Sequence, residues 1–289
     1  FVGLFKSLGM NVNQAWSATG AIYGSIAMIT LLITTLTIKE PPEYSSNPST
    51  IPVIQGLKLC FKNKPFIILM AVFFLGSFAF TAQATLLPYL IQYQLGMADQ
   101  TSIVLVISLA TTGVFLIPAK LLSDRIEKGP TYALGMGLAA LTFLLAFFFV
   151  PSHPSPIVYV IAFVLGVGFS THWVIPYAMM PDVIEYDEMM SGERREGIYY
   201  GFSNFLTKFA VALGVAVPGW ALNWFGYVPN AVQTSQALLG IRLFYALVPG
   251  VVIFLFIPLL IRYPITSQTH ANIRHELAKR KHSPQEHEG

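Results

Sequence analysis

Charged residues and cysteine are both scarce in this sequence. Aspartate, glutamate, lysine and arginine together make up 11% of the 289 residues, whereas hydrophobic residues make up 54%. Soluble globular domains carry about a quarter charged residues, so the composition excludes a cytosolic enzyme, a nucleic-acid-binding protein and a disordered chain. Cys60 is the single cysteine, which excludes an internal disulfide, and no metal-binding or redox motif surrounds it. The chain is therefore expected in a lipid bilayer.

Long apolar stretches are abundant instead. A helix needs about 20 apolar residues to cross a hydrocarbon core of roughly 30 Å. Seven segments meet this requirement: residues 18–38, 65–95, 103–122, 132–150, 157–180, 198–225 and 237–263. The sequence thus predicts an all-α membrane protein with about seven transmembrane helices.

Lysine and arginine fall in alternate connections between these segments. The connections after the first, third, fifth and seventh segments contain them, whereas residues 96–100, 151–156 and 226–236 contain none. Because basic loops stay in the cytoplasm, the carboxy terminus is predicted to be cytoplasmic and residue 1 to lie outside. The sequence begins at Phe1 without the charged region of a signal peptide, so we expect further helices upstream, which would form a missing amino-terminal bundle.

The pattern predicts four regions along the chain. Residues 1–38 would end an amino-terminal bundle, 39–64 would be a cytoplasmic linker, 65–263 a six-helix carboxy-terminal bundle and 264–289 a cytoplasmic tail. Proline and serine in the linker prevent a continuous helix. Two interpretations of it stay open, a solvated spacer and a short helix on the membrane surface.

Lys208 is the clearest functional candidate among the polar residues. It lies ten residues after Ile198, about 15 Å along a helix, near the middle of the membrane, where an ionisable group costs several kcal/mol. Tyr200 and Asn204 share its helical face, and Ser203 is adjacent. The sequence predicts a substrate site here, with the counter-charge supplied by a substrate or by the missing bundle. The alternative is a lysine that snorkels or pairs for structure only.

The fifth predicted span offers Trp173 about halfway through. An indole that faces a cavity can stack on a sugar and donate a hydrogen bond. The alternative is a packing aromatic residue, and His172 beside it is expected to be a satisfied packing residue. Gln83 and Gln92 in the second span are further polar candidates, and we include Gln83 in the predicted substrate site.

A dense segment of mixed charge, residues 181–197, joins the fifth and sixth spans. It is either a solvated loop or a cytoplasmic gate whose carboxylates pair with basic residues of another bundle and separate on opening. A second charged turn follows the third span. The predicted gate residues are Asp182, Glu185, Arg194, Arg195, Glu196, Asp124 and Arg125.

Several runs resemble the glycoside-pentoside-hexuronide:cation symporters of the major facilitator superfamily, the melibiose permease-like carriers. They are residues 180–186 (MPDVIEY), 192–197 (GERREG), 225–230 (FGYVPN) and 236–240 (QALLG), together with the Asp-Arg turn after the third span. The resemblance covers essentially the whole chain, as the last helix of the amino-terminal half plus the six-helix carboxy-terminal half.

The resemblance implies cation-coupled symport of a sugar or glycoside by alternating access, in the plasma membrane of a bacterium. It places Trp173 on the family's sugar-stacking tryptophan and Lys208 on its functional lysine. The coupling cation, sodium or proton, would bind in the missing half. No cofactor and no metal site in this chain are expected. Ser203 and Asn204 depart from the family pattern, which leaves the sugar in doubt.

Other functions stay open. Residues 207–210 (TKFA) and 179–183 (MMPDV) resemble the related sodium-dependent lysolipid symporters. A membrane enzyme would need a cluster of histidine and acids at one membrane face, and a non-transporting receptor would lack uptake altogether.

Overall fold

The structure, a computed structural model, describes residues 1–38 and 53–282. Its contacts divide the chain into two units, residues 1–50 and 51–289. In the first unit a short helix, α1 (Val2–Ser7), precedes the long helix α2 (Val12–Thr37). A capping box starts α2, because the Asn11 side chain accepts from the Gln14 amide at 2.9 Å and the Gln14 side chain accepts from the Asn11 amide at 3.2 Å.

The second unit is a bundle of long helices. Helix α3 (Val53–Cys60) leads into α4 (Lys64–Tyr89), which ends in a π-helical turn (Leu90–Gln94). A 3₁₀ turn (Ala98–Gln100) precedes α5 (Thr101–Ile126), and then come α6 (Lys128–Phe149), α7 (Ile157–Ser191) and α8 (Glu196–Trp224). Helix α9 (Ser235–Arg242), a π-helical turn (Leu243–Leu247) and α10 (Val248–Ile261) form one further length, followed by α11 (Ser267–His282).

Seven helical lengths in the described ranges are long and apolar enough to span a membrane. They are Val12–Thr37, Lys64–Gln94, Ala98–Ile126, Lys128–Phe149, Ile157–Ser191, Glu196–Trp224 and Ser235–Ile261. The predicted all-α membrane fold is confirmed. Of the predicted linker, residues 39–52 lie outside the described residues, and the rest contains α3.

Close helix approach at glycine holds the bundle together. A Cβ added at Gly168 of α7 would lie 2.7 Å from the Gly135 carbonyl oxygen of α6, and one at Gly214 of α8 would lie 2.6 Å from the Thr81 Cβ of α4. Helices in lipid gain little from the hydrophobic effect, so backbone proximity and van der Waals contact supply the packing energy. Helix α4 therefore lies against α8 while α7 lies against α6.

Residues 181–191 of the charged segment are helical, which differs from its interpretation as a solvated loop. Helix α7 continues for eleven residues beyond the predicted end at residue 180 and stops at Gly192, whose φ of 76° is left-handed. Val183 and Ile184 are buried on its inner face. This apolar contact keeps the extension helical despite Pro176 and Pro181, which remove only single N–H donors from the helix.

Most of the predicted tail is also folded, and its residues 283–289 lie outside the described residues. Helix α11 occupies Ser267–His282 and packs on α7, with Ile273 buried. Its sequence is strongly polar, so hydrophobicity along the chain gave no sign of this contact.

Candidate functional site

The predicted substrate residues lie on three helices, with Gln83 on α4, Trp173 on α7 and the others on α8. Phe80 of α4 contacts the Trp173 ring of α7 edge to face, with ring centroids 5.4 Å apart. Phe74 of α4 lies 6.0 Å from Phe209 of α8, the residue after Lys208. Helix α4 therefore contacts both Trp173 and the part of α8 that carries Lys208.

Trp173 presents part of its indole at the surface of the bundle. It is 39% exposed, although His172 and Phe80 contact its ring. A tryptophan that serves packing alone is largely covered, so this exposed fraction is available for a ligand or for another part of the protein.

Lys208 lies in the middle of α8 on an exposed face. Tyr200, Asn204 and Lys208 are all exposed along this face at four-residue intervals, as the sequence predicts. Within residues 1–38 and 53–282 no ion pair involves Lys208. A lysine ammonium in mid-span is costly without a compensating charge. The face thus offers a cationic group and hydrogen-bonding groups to an external ligand.

Two predicted substrate residues are buried inside the bundle. Gln83 is 4% exposed, and Ser203 is 7% exposed, with its carbonyl accepting from the Thr207 hydroxyl at 2.9 Å. Neither side chain belongs to the exposed face of α8 that carries Lys208. The helical repeat identified the elements but could not show which side of each faces the core.

His172 joins three helices in the interior. Its Nδ1 lies 2.7 Å from the Tyr132 hydroxyl of α6 and its Nε2 lies 3.2 Å from the Ser77 hydroxyl of α4. The ring is fully buried. A neutral imidazole satisfies both contacts, since one ring nitrogen donates and the other accepts. Adjacency to Trp173 was its only sign in the sequence, because its partners are 40 and 95 residues away.

Asp182 and Glu185 have basic partners within their own bundle. Lys128 at the start of α6 donates to Asp182 at 2.6 Å, and His270 of α11 lies 2.8 Å from Glu185 and 3.4 Å from Asp182. Among the described residues the basic partners of these carboxylates are on α6 and α11, and their pairing with another bundle stays a prediction. We call this region, built by Lys128, Asp182, Glu185 and His270, the charged end.

The three predicted gate residues after α7 divide into a buried and a surface group. Arg195 is 4% exposed and donates to Asp187 through Nη2 at 2.8 Å and Nε at 3.0 Å. Arg194 pairs with Glu188 at 3.0 Å and with Glu196 at 2.5 Å. Arg195 is therefore part of the bundle interior rather than a residue that reaches out of it.

The second predicted gate turn is on the surface. Lys120 pairs with Asp124 at 2.7 Å one helical turn away, and Arg125 is exposed. Helix α5 continues through both predicted residues to Ile126, and the chain turns at Glu127, whose φ is 80°.

An elbow between α3 and α4 adjoins the charged end. The Asn63 amide donates to the Val183 carbonyl at 3.2 Å and to the Tyr199 hydroxyl at 3.0 Å, and the same side chain caps α4 by accepting from the Phe66 amide. Burial raises the pKa of the neighbouring Cys60 thiol, so the thiol form is favoured. Asn63 is not among the residues that the sequence predicts for a site.

An apolar cleft of about 390 Å³ opens between α4 and α8. Its lining includes Phe66, Met70, Phe74, Phe202 and Phe209 and is almost free of polar surface. Among the described residues no group of histidine, cysteine, aspartate or glutamate is arranged to hold a metal ion.

Comparison with known proteins gives consistent matches. Residues 1–267 match the family described as MFS/sugar transport protein. An uncharacterized symporter of Synechocystis is 31% identical over 242 residues, which are 80% of this chain and 44% of that protein. The isoprimeverose transporter of Lactiplantibacillus pentosus is 30% identical over 239 residues, 82% of this chain and 49% of that protein.

A further relative comes from a vertebrate. The sodium-dependent lysophosphatidylcholine symporter 1 of Xenopus tropicalis is 26% identical over 265 residues, 89% of this chain and 50% of that protein. The chain spans about half the length of these curated relatives.

Proposed function

The chain belongs to the family of MFS/sugar transport proteins, and from this premise we propose that it forms part of a secondary active transporter for a glycoside. The single observation that carries the proposal is the exposed polar face of α8, with Lys208 in mid-span and Tyr200 and Asn204 on the same side. Such a face is stable in a membrane only beside a polar partner or a water-filled cavity. A substrate site between two helix bundles supplies that surrounding.

The substrate would be bound by two chemically different groups. Trp173 would stack on the apolar face of the sugar ring, and Lys208 and Asn204 would bind its hydroxyl groups. Tyr200 adds a phenol on the same face, whereas Gln83 and Ser203 would act only through the packing of their helices, because both are buried. This assignment is supported by exposure and by the resemblance of these positions to the family's site residues.

Coupling to a cation follows from the relatives rather than from this chain. The Xenopus relative is named for its sodium dependence and several relatives are named symporters. We propose that sodium or a proton binds outside residues 1–289, in an amino-terminal bundle of the same protein, and that the two bundles rock about the shared site. The charged end would lie on the cytoplasmic side of a bacterial inner membrane, as would the carboxy terminus.

A lysolipid is the second candidate substrate, because the apolar cleft between α4 and α8 favours it. The cleft lies beside the helix that carries Lys208 and is lined by phenylalanines, so an acyl chain in the cleft and a phosphate near the lysine would fit one molecule. The Xenopus relative, named for a lysophospholipid, supports the same reading.

Uptake into proteoliposomes that contain the full-length protein tests both candidates. We expect an inward sodium or proton gradient to drive uptake of radiolabelled methyl galactoside, and unlabelled methyl galactoside to compete while lysophosphatidylcholine does not. The reverse competition would assign the lysolipid function. Absence of gradient-driven uptake of either probe would reject transport of both classes.

A further inference from the structure

His172 lies beside Trp173, the proposed substrate contact, but is itself fully buried. It is the residue before Trp173 on α7, its ring lies 5.7 Å from the Trp173 ring, and its two nitrogens bond to Ser77 of α4 and Tyr132 of α6. Phe73 of α4 covers the ring at 5.1 Å. The imidazole is therefore fixed on opposite edges by two helices other than its own.

The backbone of α7 is weakened at the same residue. Pro176 has no N–H, so the carbonyl of His172, four residues earlier, lacks its usual helical donor. Helices bend at such positions. Without a side-chain anchor, a bend here would change the direction in which Trp173 points.

The packing around the ring leaves no room for movement toward α4. A Cβ added at Gly76 would lie 2.6 Å from Cε1 and Nδ1 of His172, which means that the ring rests against the backbone of α4. Phe80, one turn further along α4, is the other ring that contacts Trp173. The same helix thus holds His172 in place and supports the tryptophan.

From this geometry we propose that His172 is a positioning residue for substrate recognition: its bonds to Ser77 and Tyr132 fix α7 at the Pro176 break and so hold the Trp173 indole in its binding orientation. The proposal rests on the proposed role of Trp173 as a substrate contact. It assigns a recognition effect to a side chain that no substrate can reach, because the ring is fully buried.

The test uses the full-length transporter in which all tryptophans except Trp173 are phenylalanine, which in this part of the chain means Trp16, Trp220 and Trp224. His172→Phe keeps an aromatic ring but removes both hydrogen bonds. We expect acrylamide to quench the Trp173 fluorescence about twice as efficiently, and the KM of uptake to rise about tenfold while the maximal rate stays within about twofold, since two buried hydrogen bonds are lost. The transported probe is methyl galactoside or lysophosphatidylcholine, whichever the uptake assay identifies.

Four further variants separate positioning from general damage. Ser77→Ala removes one hydrogen-bond partner of His172 by deleting a single oxygen atom. Gly76→Ala displaces the imidazole without changing its chemistry. Both variants should change the quenching and the KM in the same direction as His172→Phe. Gly137→Ala on α6 is the matched control, because its added Cβ would meet only Ile257 Cδ1 at 3.6 Å, an ordinary contact. His172→Gln retains a hydrogen-bond donor and an acceptor, so its quenching and KM should lie between those of His172→Phe and those of the parent.

The result that overturns the proposal is specific. If His172→Phe, Ser77→Ala and Gly76→Ala fold and leave the Trp173 quenching at the parent value, His172 does not position the indole, whether or not KM changes. The proposed substrate role fails separately, if Trp173→Ala leaves KM unchanged. The quenching comparison still decides the positioning proposal in that case, because it needs no substrate.

Discussion

Two basic residues of this protein, Lys208 and Arg195, have opposite surroundings. Arg195 is buried and donates to Asp187 twice, whereas Lys208 is exposed on α8. The proximity of Arg195 to other charges in the sequence suggested a gate, and the isolation of Lys208 suggested a site. The structure explains the first as an internal ion pair and leaves the second available to a ligand.

Loss of the Lys208 charge should abolish substrate accumulation. We expect Lys208→Ala to lower uptake at least tenfold, because a charge-assisted hydrogen bond to substrate contributes about 1.5–3 kcal/mol. Uptake into proteoliposomes measures it. The control is Lys120→Ala, whose exposed pair with Asp124 is a surface contact of little energetic weight. Normal uptake by Lys208→Ala would contradict the proposed site.

Removal of one partner of the buried Arg195–Asp187 pair should destabilise the fold. Arg195→Gln leaves a buried carboxylate without its counter-charge, an effect of about 3–5 kcal/mol. Thermal unfolding in detergent should show a lower Tm, and the double variant with Asp187→Asn should recover much of the loss. A single variant with the parent Tm would show that Asp187 finds another partner.

At the scale of elements, the lengths of α7 and α11 are what differ most from expectation. Residues 181–191 of the charged segment form the last third of α7, and residues 267–282 of the predicted tail form a helix that packs on it. Besides the His270 contacts, Ser267 donates to Glu127 through its amide at 2.8 Å and its hydroxyl at 2.7 Å, and Arg280 donates to the Met189 carbonyl at 2.7 Å. Helix α11 is thereby fixed at both of its ends.

Loss of the His270 contacts should release α11. We expect His270→Ala to speed hydrogen exchange of the α11 amides about tenfold, since the contacts of His270 with Glu185 and Asp182, which join α11 to α7, are lost. Mass spectrometry of peptides from residues 267–282 reports the rate. His275→Ala is the matched control, because that side chain is on the same helix and 69% exposed. Equal exchange in both variants would mean that other contacts hold the helix.

Gly168 of α7, which contacts α6, should be more sensitive to substitution by alanine than Gly137 of α6. Gly168→Ala places a methyl group 2.7 Å from the Gly135 carbonyl oxygen and 2.9 Å from Ala139 Cβ. Such overpacking costs about 1–3 kcal/mol. Thermal unfolding should separate it from Gly137→Ala, which we expect to be neutral. A neutral Gly168→Ala would show that the two helices can move apart without loss.

For the whole molecule, the proposed transport activity depends on more of the protein than these 289 residues. The chain spans about half of the relatives it matches, and its exposed polar face and exposed indole lie on the surface of its larger unit. Transport by alternating access needs a second bundle against such a face. The experiments on uptake therefore use the full-length protein, whereas those on stability and exchange concern contacts within residues 51–289.

Much of the fold could be predicted because apolar length is a property of consecutive residues. The seven spans, the all-α membrane class and the family follow from hydrophobic runs and from local motifs such as residues 180–186. The positions of Trp173 and Lys208 on their helices follow from the same counting. The predicted ends of α5 and α7 came too early in the chain. Charged residues at a helix end indicate a loop unless their apolar neighbours are known to be buried.

The sequence by itself determined that this protein lies in a lipid bilayer and which of its polar residues are candidates for function. A roughly 30 Å apolar core admits few charged residues, so each exception is visible. Only the tertiary structure decided which candidates are available. Gln83 and Arg195 are buried in the interior, Asp182 and Glu185 pair with α6 and α11, and His172 joins three helices. Those outcomes depend on partners up to 95 residues away in the chain, and a distance in space cannot be inferred from the spacing of residues along one helix.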